Sequence, residues 1–146
     1  MTTTTPVSIL VADDDKGHCE LIRRNLRRAG LRNPIVAVHS GDAALEHIRG
    51  HAAAEPLLVL LDINMPGAIN GIEVLREVKS AAPTRKVPVI MLTTTDNPRE
   101  MERCYELGCN VYVIKPVDPT RFIEAIHRIG LFIEIVSVVP AAEAAA

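Results

Sequence analysis

Residues 9–18 read ILVADDDKGH, a short apolar run that ends in three consecutive aspartates. The run is rich in β-branched side chains and does not alternate with polar residues, which is typical of a strand covered on both faces. Asp15 precedes Lys16 and Gly17, as the N-cap of a helix would. The stretch therefore predicts one strand followed directly by one helix.

The same strand–helix unit recurs along the chain. Helical periodicity separates the apolar runs and predicts helices that end at Gly30, Gly50 and Gly108, with a fifth starting near Asp118. This alternation predicts an α/β fold, a doubly wound five-stranded parallel sheet of order 2-1-3-4-5. The predicted strands are the five apolar runs, at residues 7–12, 34–38, 57–61, 87–92 and 111–114.

Composition narrows the class of protein. The 146 residues fit a single domain, and 48% apolar residues exclude intrinsic disorder. A net charge of −2 argues against a general nucleic-acid or anionic-membrane binder. No apolar run approaches the roughly 18 residues of a membrane span. Three scattered cysteines indicate reduced thiols. We expect a cytoplasmic protein with no membrane and no nucleic-acid partner.

Polar side chains follow every predicted strand. Since the carboxyl ends of parallel strands meet at one edge of the sheet, those of the four inner strands should lie close together. An aspartate after a strand is commonly only a helix cap, but independent caps do not explain a set of acids, a hydroxyl and a lysine. The inner-strand residues are Asp13, Asp14, Asp62, Thr93 and Lys115, whereas His39 and Ser40 follow the edge strand.

Three carboxylates in one crevice repel each other and raise at least one pKa unless a cation lies between them. Oxygen ligands of this kind suit a hard ion such as Mg²⁺. A metal ion facing a lysine and a threonine would accept the oxygens of a phosphoryl group. If a carboxylate is the nucleophile, the product is an aspartyl phosphate.

Four motifs together resemble the response-regulator receiver domain of two-component signalling. The resemblance covers about residues 7–130 and implies a flavodoxin-like, CheY-like fold. It also implies a phosphorelay signalling protein rather than an enzyme, with self-phosphorylation and autodephosphorylation as its only reactions. The motifs are Asp13-Asp14, LLDINMP at 60–66, LTT at 92–94 and YVIKP at 112–116.

The resemblance implies a role for each matched acidic residue. Asp62 would be the phosphoacceptor, taking a phosphoryl group from a histidine kinase. Mg²⁺ or Mn²⁺ would be bound by the carboxylates of Asp14 and Asp62 and the backbone carbonyl of Asn64, with Asp13 holding the ion through water.

The remaining matched residues would act on the phosphoryl group or respond to it. Lys115 would pair with the carboxylate and then with the phosphoryl oxygens, and Thr93 would hydrogen-bond the group. Thr93 and Tyr112 would form the conformational switch. Asn64 and Thr95 occupy the positions that tune phosphate lifetime.

Two features stand outside the family pattern. Four residues separate Pro66 from Gly71, where receiver domains usually have three, and this loop borders the expected metal site. None of the five histidines lies in a matched motif.

The C-terminal segment suggests a subfamily. Residues 130–140, GLFIEIVSVVP, resemble the extension of small stand-alone receivers that partner phytochrome-type sensor kinases, so a bacteriophytochrome is one candidate kinase. We expect a flexible N-terminus (1–6), a dimerising extension (131–140) and a tail (141–146). The alternative is that the extension folds back on its own domain. The expected homodimer contacts are Leu131, Phe132, Ile135 and Val136.

Other functions share the fold. A flavodoxin-like electron carrier would need a phosphate-binding loop after the first strand, where this chain has DDDKG. A phosphatase with Asp62 as nucleophile would need a general acid, where the chain offers Asn64. A dimeric scaffold would not need the intact acidic set.

Overall fold

The computed structural model describes residues 7–115 and 118–135, with the backbone alone at Pro119 and at 130–135. Five strands alternate with five helices, as the sequence predicts. The elements are β1 (Ser8–Ala12), α1 (Lys16–Arg28), β2 (Ile35–Val38), α2 (Gly41–His51), β3 (Leu57–Leu61), α3 (Gly71–Ser80), β4 (Val89–Thr93), α4 (Pro98–Leu107), β5 (Val111–Ile114) and α5 (Pro119–Ile135).

The strands form one parallel sheet of order β2-β1-β3-β4-β5, which confirms the predicted topology. Every residue of β1, β3 and β4 is buried. The edge strands β2 and β5 are partly exposed, because each has a neighbour on one side only. The prediction that all five strands are covered on both faces therefore holds for the three inner ones.

Two apolar cores cover the two faces of the sheet. On one face α1 and α5 pack against the strands, with Ile22, Leu26, Phe122 and Ile126 among the buried side chains. On the other face lie α2, α3 and α4. This layering is that of a doubly wound fold, and it leaves the carboxyl ends of the strands uncovered by helices.

Helix boundaries follow local chemistry, with one correction. The Asp15 carboxylate accepts a hydrogen bond from the His18 N–H at 3.1 Å, which makes it the N-cap of α1. Gly108 follows α4 in the left-handed region (φ 103°). The predicted stop of α2 at Gly50 is wrong, because α2 runs through His51 and the buried Ala52 continues its hydrogen bonding.

The start of β4 also differs from the prediction. The strand begins at Val89, after Pro88, because the proline nitrogen cannot donate to the sheet. At its other end the strand extends to Thr93.

Helix α5 reaches beyond the predicted boundary at residue 130. Its backbone continues to Ile135, so the first part of the expected extension is helical. The side chains of Leu131, Phe132 and Ile135, together with Val136 and residues 1–6 and 141–146, lie outside the described part of the chain. Their expected roles stay predictions.

Gly71 lets the start of α3 approach β3 closely. A Cβ added there would lie 2.0 Å from the Asp62 carbonyl oxygen and 2.7 Å from the Ile63 Cα, and both are backbone atoms that cannot move aside alone. The Gly71 N–H also donates to the Ile63 carbonyl at 2.9 Å. The position of Asp62 therefore depends on the missing side chain at residue 71.

We expect Gly71→Ala to lower the free energy of unfolding by about 1–3 kcal/mol, because the methyl group overpacks the backbone at Asp62. Gly50→Ala is the matched control. A Cβ at Gly50 meets nothing within 4 Å, so this helical change should be neutral or stabilise by up to about 1 kcal/mol. Urea unfolding of both variants measures the difference, and equal stabilities would contradict the close packing.

Candidate functional site

The four inner strands bring their terminal polar residues to one edge of the sheet. Asp13 and Asp62 directly follow β1 and β3, Thr93 ends β4 and Lys115 follows β5. The Lys115 Nζ lies 3.1 Å from Asp62 Oδ2 and donates a second, closer hydrogen bond to Asp13 Oδ2. All four side chains are buried. The structure thus assembles the set that the sequence pattern picked out.

The charges of this cluster stabilise one another. Burial alone lowers the pKa of Lys115, but the hydrogen bond and charge of Asp13, joined by Asp62, outweigh it and hold that pKa above its usual value. The Lys115 ammonium is therefore retained in a nearly water-free place. It is the positive charge against which two buried carboxylates can stay close together.

A third carboxylate completes an acidic group. Ligand oxygens of Asp13, Asp14 and Asp62 lie within 4.8 Å of one another, and Asp14 is exposed whereas the other two are buried. Asp14 also lines an open hollow of about 560 Å³, whose wall includes Asn64, Glu73 and Glu100. Three oxygen donors beside an open acidic hollow fit a hard divalent cation that keeps some of its water.

Thr95 joins the residues around the crevice. The Asn64 side-chain amide donates to Thr95 Oγ1 at 3.2 Å, and the Tyr112 hydroxyl donates to the Thr95 carbonyl at 2.7 Å. The Thr95 N–H donates to Thr93 Oγ1 at 3.4 Å. Tyr112 is buried, with its ring turned inward. One loop residue therefore connects the hydroxyl at the crevice to the aromatic side chain.

The longer loop after Pro66 is ordered by local contacts. Gly67 adopts a positive φ of 99°. Asn70 and Glu73 form a capping box at the start of α3, in which the Glu73 N–H donates to Asn70 Oδ1 at 3.0 Å. The extra residue thus leaves the start of α3 fully capped.

Two histidines outside the matched motifs also reach the site. The His39 Nδ1 lies 2.9 Å from the Asp13 carbonyl oxygen and can donate to it, and the His18 Nδ1 lies 3.2 Å from the Lys115 Nζ and can accept from it. The His18 ring also packs against Phe122, with ring centroids 5.4 Å apart. His39 directly follows β2, which was a usable signal, whereas His18 reaches the site only through helical geometry.

The cysteines agree with the expectation of free thiols. Cys19, Cys104 and Cys109 are unpaired and buried. Burial raises the pKa of Cys19 and of Cys104 to about 11, which suppresses the reactive thiolate.

Comparison with known proteins identifies the family. Residues 9–127 match the family model of the response regulator receiver domain. The chain belongs to this family. No helix within residues 7–115 and 118–135 has the length and apolar character needed to cross a membrane.

Curated relatives include two regulators of similar length. The chain is 35% identical over 132 residues to the probable methanogenesis regulatory protein FilR2 of Methanothrix harundinacea, covering 86% of this chain and 84% of FilR2. It is 32% identical over 114 residues to the response regulator Rcp1 of Synechocystis, covering 75% and 77%.

Solved structures resemble the whole described fold. A receiver domain from Rhodospirillum rubrum has 44% identity and a TM-score of 0.86, covering 91% of this chain and 97% of its own. The Mn²⁺-bound form of Rcp1 has 28% identity and a TM-score of 0.82, covering 92% and 99%. The phosphorylated cyanobacterial phytochrome response regulator RcpA has 27% identity and a TM-score of 0.83, covering 93% and 99%.

We expect Lys115→Met to destabilise the protein by about 3 kcal/mol, because it leaves two buried carboxylates without their counter-charge. Burial raises the pKa of Asp13, and loss of the ammonium raises it further. A carboxyl with a raised pKa in the folded state favours folding when protonated, so the deficit should shrink as the pH falls. Lys16→Met, at an exposed site, should stay within about 0.5 kcal/mol of the parent.

Denaturant unfolding of both lysine variants at several pH values measures this difference. A Lys115→Met variant as stable as Lys16→Met near neutral pH would show that the carboxylates do not depend on the ammonium.

Proposed function

We propose that the chain is a single-domain response regulator whose Asp62 accepts a phosphoryl group from a sensor histidine kinase. One observation carries the proposal: the Asp62 carboxylate pairs with the buried Lys115 ammonium and lies within 4.8 Å of ligand oxygens of two further carboxylates, Asp13 and Asp14. A buried cation beside an acidic group is the arrangement that phosphoryl transfer to a carboxylate needs.

In the proposed reaction an Asp62 carboxylate oxygen attacks the phosphorus of a phosphohistidine. The new O–P bond forms as the P–N bond breaks, and the electron pair returns to the imidazole nitrogen of the kinase. Lys115, already 3.1 Å from Asp62 Oδ2, pairs with the transferred oxygens. The Thr93 hydroxyl lies at the same sheet edge and donates to one of them.

The proposed cofactor is Mg²⁺, with Mn²⁺ as a substitute. Asp13, Asp14 and Asp62 offer oxygen ligands within 4.8 Å of one another, and the Asn64 backbone carbonyl is the proposed further ligand. The bound ion would neutralise charge on the phosphoryl oxygens. The Mn²⁺-bound form of Rcp1 supports the choice of a divalent ion.

The proposed output is a change of surface that begins at Thr93. The Thr93 hydroxyl has to reorient in order to donate to the phosphoryl group. This reorientation disturbs the hydrogen bond that Thr93 Oγ1 accepts from the Thr95 N–H. Thr95 also accepts from Tyr112, so its movement reaches the aromatic ring directly. Thr93 and Tyr112 are therefore the proposed switch, acting through Thr95.

Asn64 and Thr95 are the proposed determinants of phosphate lifetime. Their mutual hydrogen bond joins the loops after β3 and β4. Substitution of either residue should therefore change the rate of autodephosphorylation.

Two other functions of the same fold receive less support. The loop after β1 carries the buried Asp13 and the exposed Asp14, whose charges repel the phosphate of a flavin nucleotide. A phosphatase needs a general acid beside Asp62, whereas the neighbouring Asn64 cannot give up a proton. The proposed protein therefore turns over no separate substrate.

The proposed phosphodonor is a kinase of the phytochrome type. The support comes from RcpA, a cyanobacterial phytochrome response regulator, and from the bacteriophytochrome response regulator RtBRR, which is 35% identical with a TM-score of 0.68. Helix α1 carries the exposed Arg24 and Arg28. An acidic kinase surface would be attracted to this helix.

We expect the purified protein to form a mixed-anhydride adduct on Asp62 when it is incubated with acetyl phosphate and Mg²⁺. Asp62→Asn should abolish labelling because the amide is no nucleophile, and chelation of the metal should suppress it. Asp42→Asn, at an exposed site on α2, is the matched control and should label normally. Intact-mass spectrometry at neutral pH measures the added phosphoryl group.

The phosphorylation proposal fails if Asp62→Asn still labels, or if the parent protein gains no adduct labile to acid and base. Turnover of a phosphomonoester would support the phosphatase, and a flavin spectrum of the purified protein would support the electron carrier.

The proposed assembly is a homodimer through the C-terminal part of α5 and the residues beyond it. Near this region the structure shows exposed apolar surface: Ile114 at the end of β5 is 41% exposed, and a groove beside α5 is lined by Val111, Val113 and Ile129. The proposed contact residues are Leu131, Phe132, Ile135 and Val136.

We expect light scattering to give the mass of a dimer for the parent protein and a lower mass for Phe132→Asp, since a buried charge opposes association. Glu134→Gln, in the same helical turn, is the control and should keep the parent mass. Addition of beryllofluoride tests whether the phosphorylated state shifts the equilibrium. A monomer at every concentration would exclude the proposed dimer.

A further inference from the structure

Three metal-ligating side chains lie together at the C-terminal end of α2, away from the acidic crevice. His47, His51 and Glu55 are spaced four residues apart and so share one face of the helical turn. The Glu55 N–H donates to the His51 carbonyl at 3.1 Å, which carries the helical spacing past the end of α2. One ligand atom from each side chain lies within 4.8 Å of the other two.

The His51 ring is already held by its second nitrogen. Its Nδ1 lies 2.8 Å from the His47 carbonyl oxygen, so the Nδ1–H donates there. This bond places the lone pair of the neutral ring on Nε2. Histidines that bind metals commonly donate their other ring N–H to a backbone carbonyl in this way, which fixes the tautomer and the orientation of the ring.

His47 contributes a nitrogen with no protein partner. Its Nε2 is buried, and within residues 7–115 and 118–135 no hydrogen-bond partner reaches it. The two rings stack with centroids 4.0 Å apart and an interplanar angle of 17°.

We propose that His47, His51 and Glu55 form a binding site for a borderline transition-metal ion of the Zn²⁺ class. Two imidazoles and a carboxylate are ligands that such ions prefer, whereas Mg²⁺ prefers oxygen alone. The half-buried Glu55 can rotate its carboxylate toward the two imidazoles, while the His51 ring keeps the orientation that its Nδ1–H bond gives it. Three protein ligands leave a fourth position for water.

A bound ion would close a chelate across the last turn of α2. The buried Ile48 lies in this turn and the buried Ala52 directly follows it. The chain then continues into β3, which Asp62 follows at its carboxyl end. Occupancy should therefore stabilise the native fold according to the ion's concentration relative to its Kd.

The stacked pair also has a purely structural interpretation, in which His51 near the end of α2 interacts with the helix dipole. That interpretation accounts for a loss of stability on substitution of His51. It does not account for metal binding, so the two are separated by measuring the ion itself.

The test is calorimetric titration of untagged, full-length protein with Zn²⁺ in excess Mg²⁺, which keeps the acidic crevice filled. We expect one Zn²⁺ per chain, and at least about tenfold weaker binding in His51→Gln and Glu55→Gln. His127→Gln, at an exposed site on α5, and Asp14→Asn, in the crevice, are controls that should bind Zn²⁺ as the parent does. The melting temperature should rise with Zn²⁺ in the parent but not in His51→Gln.

Three results would overturn the proposal: no Zn²⁺ binding by the parent protein, unchanged affinity in both His51→Gln and Glu55→Gln, or loss of binding in Asp14→Asn alone. Circular dichroism confirms that each variant is folded. Because Glu55 lies beyond the end of α2 and is half-buried, its substitution keeps the test decisive even if a histidine variant unfolds. Failure here leaves phosphorylation of Asp62 untouched, since no residue is shared.

Discussion

The buried Lys115 ammonium is the charge on which the site depends. It lies between Asp13 and Asp62, which are 102 and 53 positions away along the chain. Only the assembled sheet can therefore bring the three side chains together. Two carboxylates this close and this buried would otherwise protonate or move apart. The lysine thus permits a concentration of negative charge that is able to attract a divalent cation.

Close backbone packing fixes where those charges stand. Gly41 and Gly71, the first residues of α2 and α3, have no room for a side chain: a Cβ would lie 2.3 Å from the Ile69 carbonyl oxygen and 2.0 Å from the Asp62 carbonyl oxygen. The longer loop after Pro66 therefore packs closely against the start of α2 and leads directly into the start of α3.

Hydrogen bonds through Thr95 connect the interior of the crevice with its surroundings. The Thr95 N–H donates to the Thr93 hydroxyl, the Thr95 hydroxyl accepts from the Asn64 amide, and the Thr95 carbonyl accepts from the Tyr112 hydroxyl. These three hydrogen bonds therefore link the Thr93 hydroxyl to the Tyr112 ring and to the Asn64 side chain through one loop residue.

The sequence by itself determined the five strands and the residues at their ends, because period and turn chemistry are local, and the rules for connecting parallel strands predicted their order. It also determined the cap at Asp15 and the stop at Gly108. Tertiary structure decided features that depend on burial and on long-range contacts. Helix α2 continues past Gly50 because Ile48 and Ala52, on either side of it, are buried. Likewise His39 reaches the Asp13 carbonyl and His18 reaches Lys115 only because folding brings together segments that lie 26 and 97 positions apart.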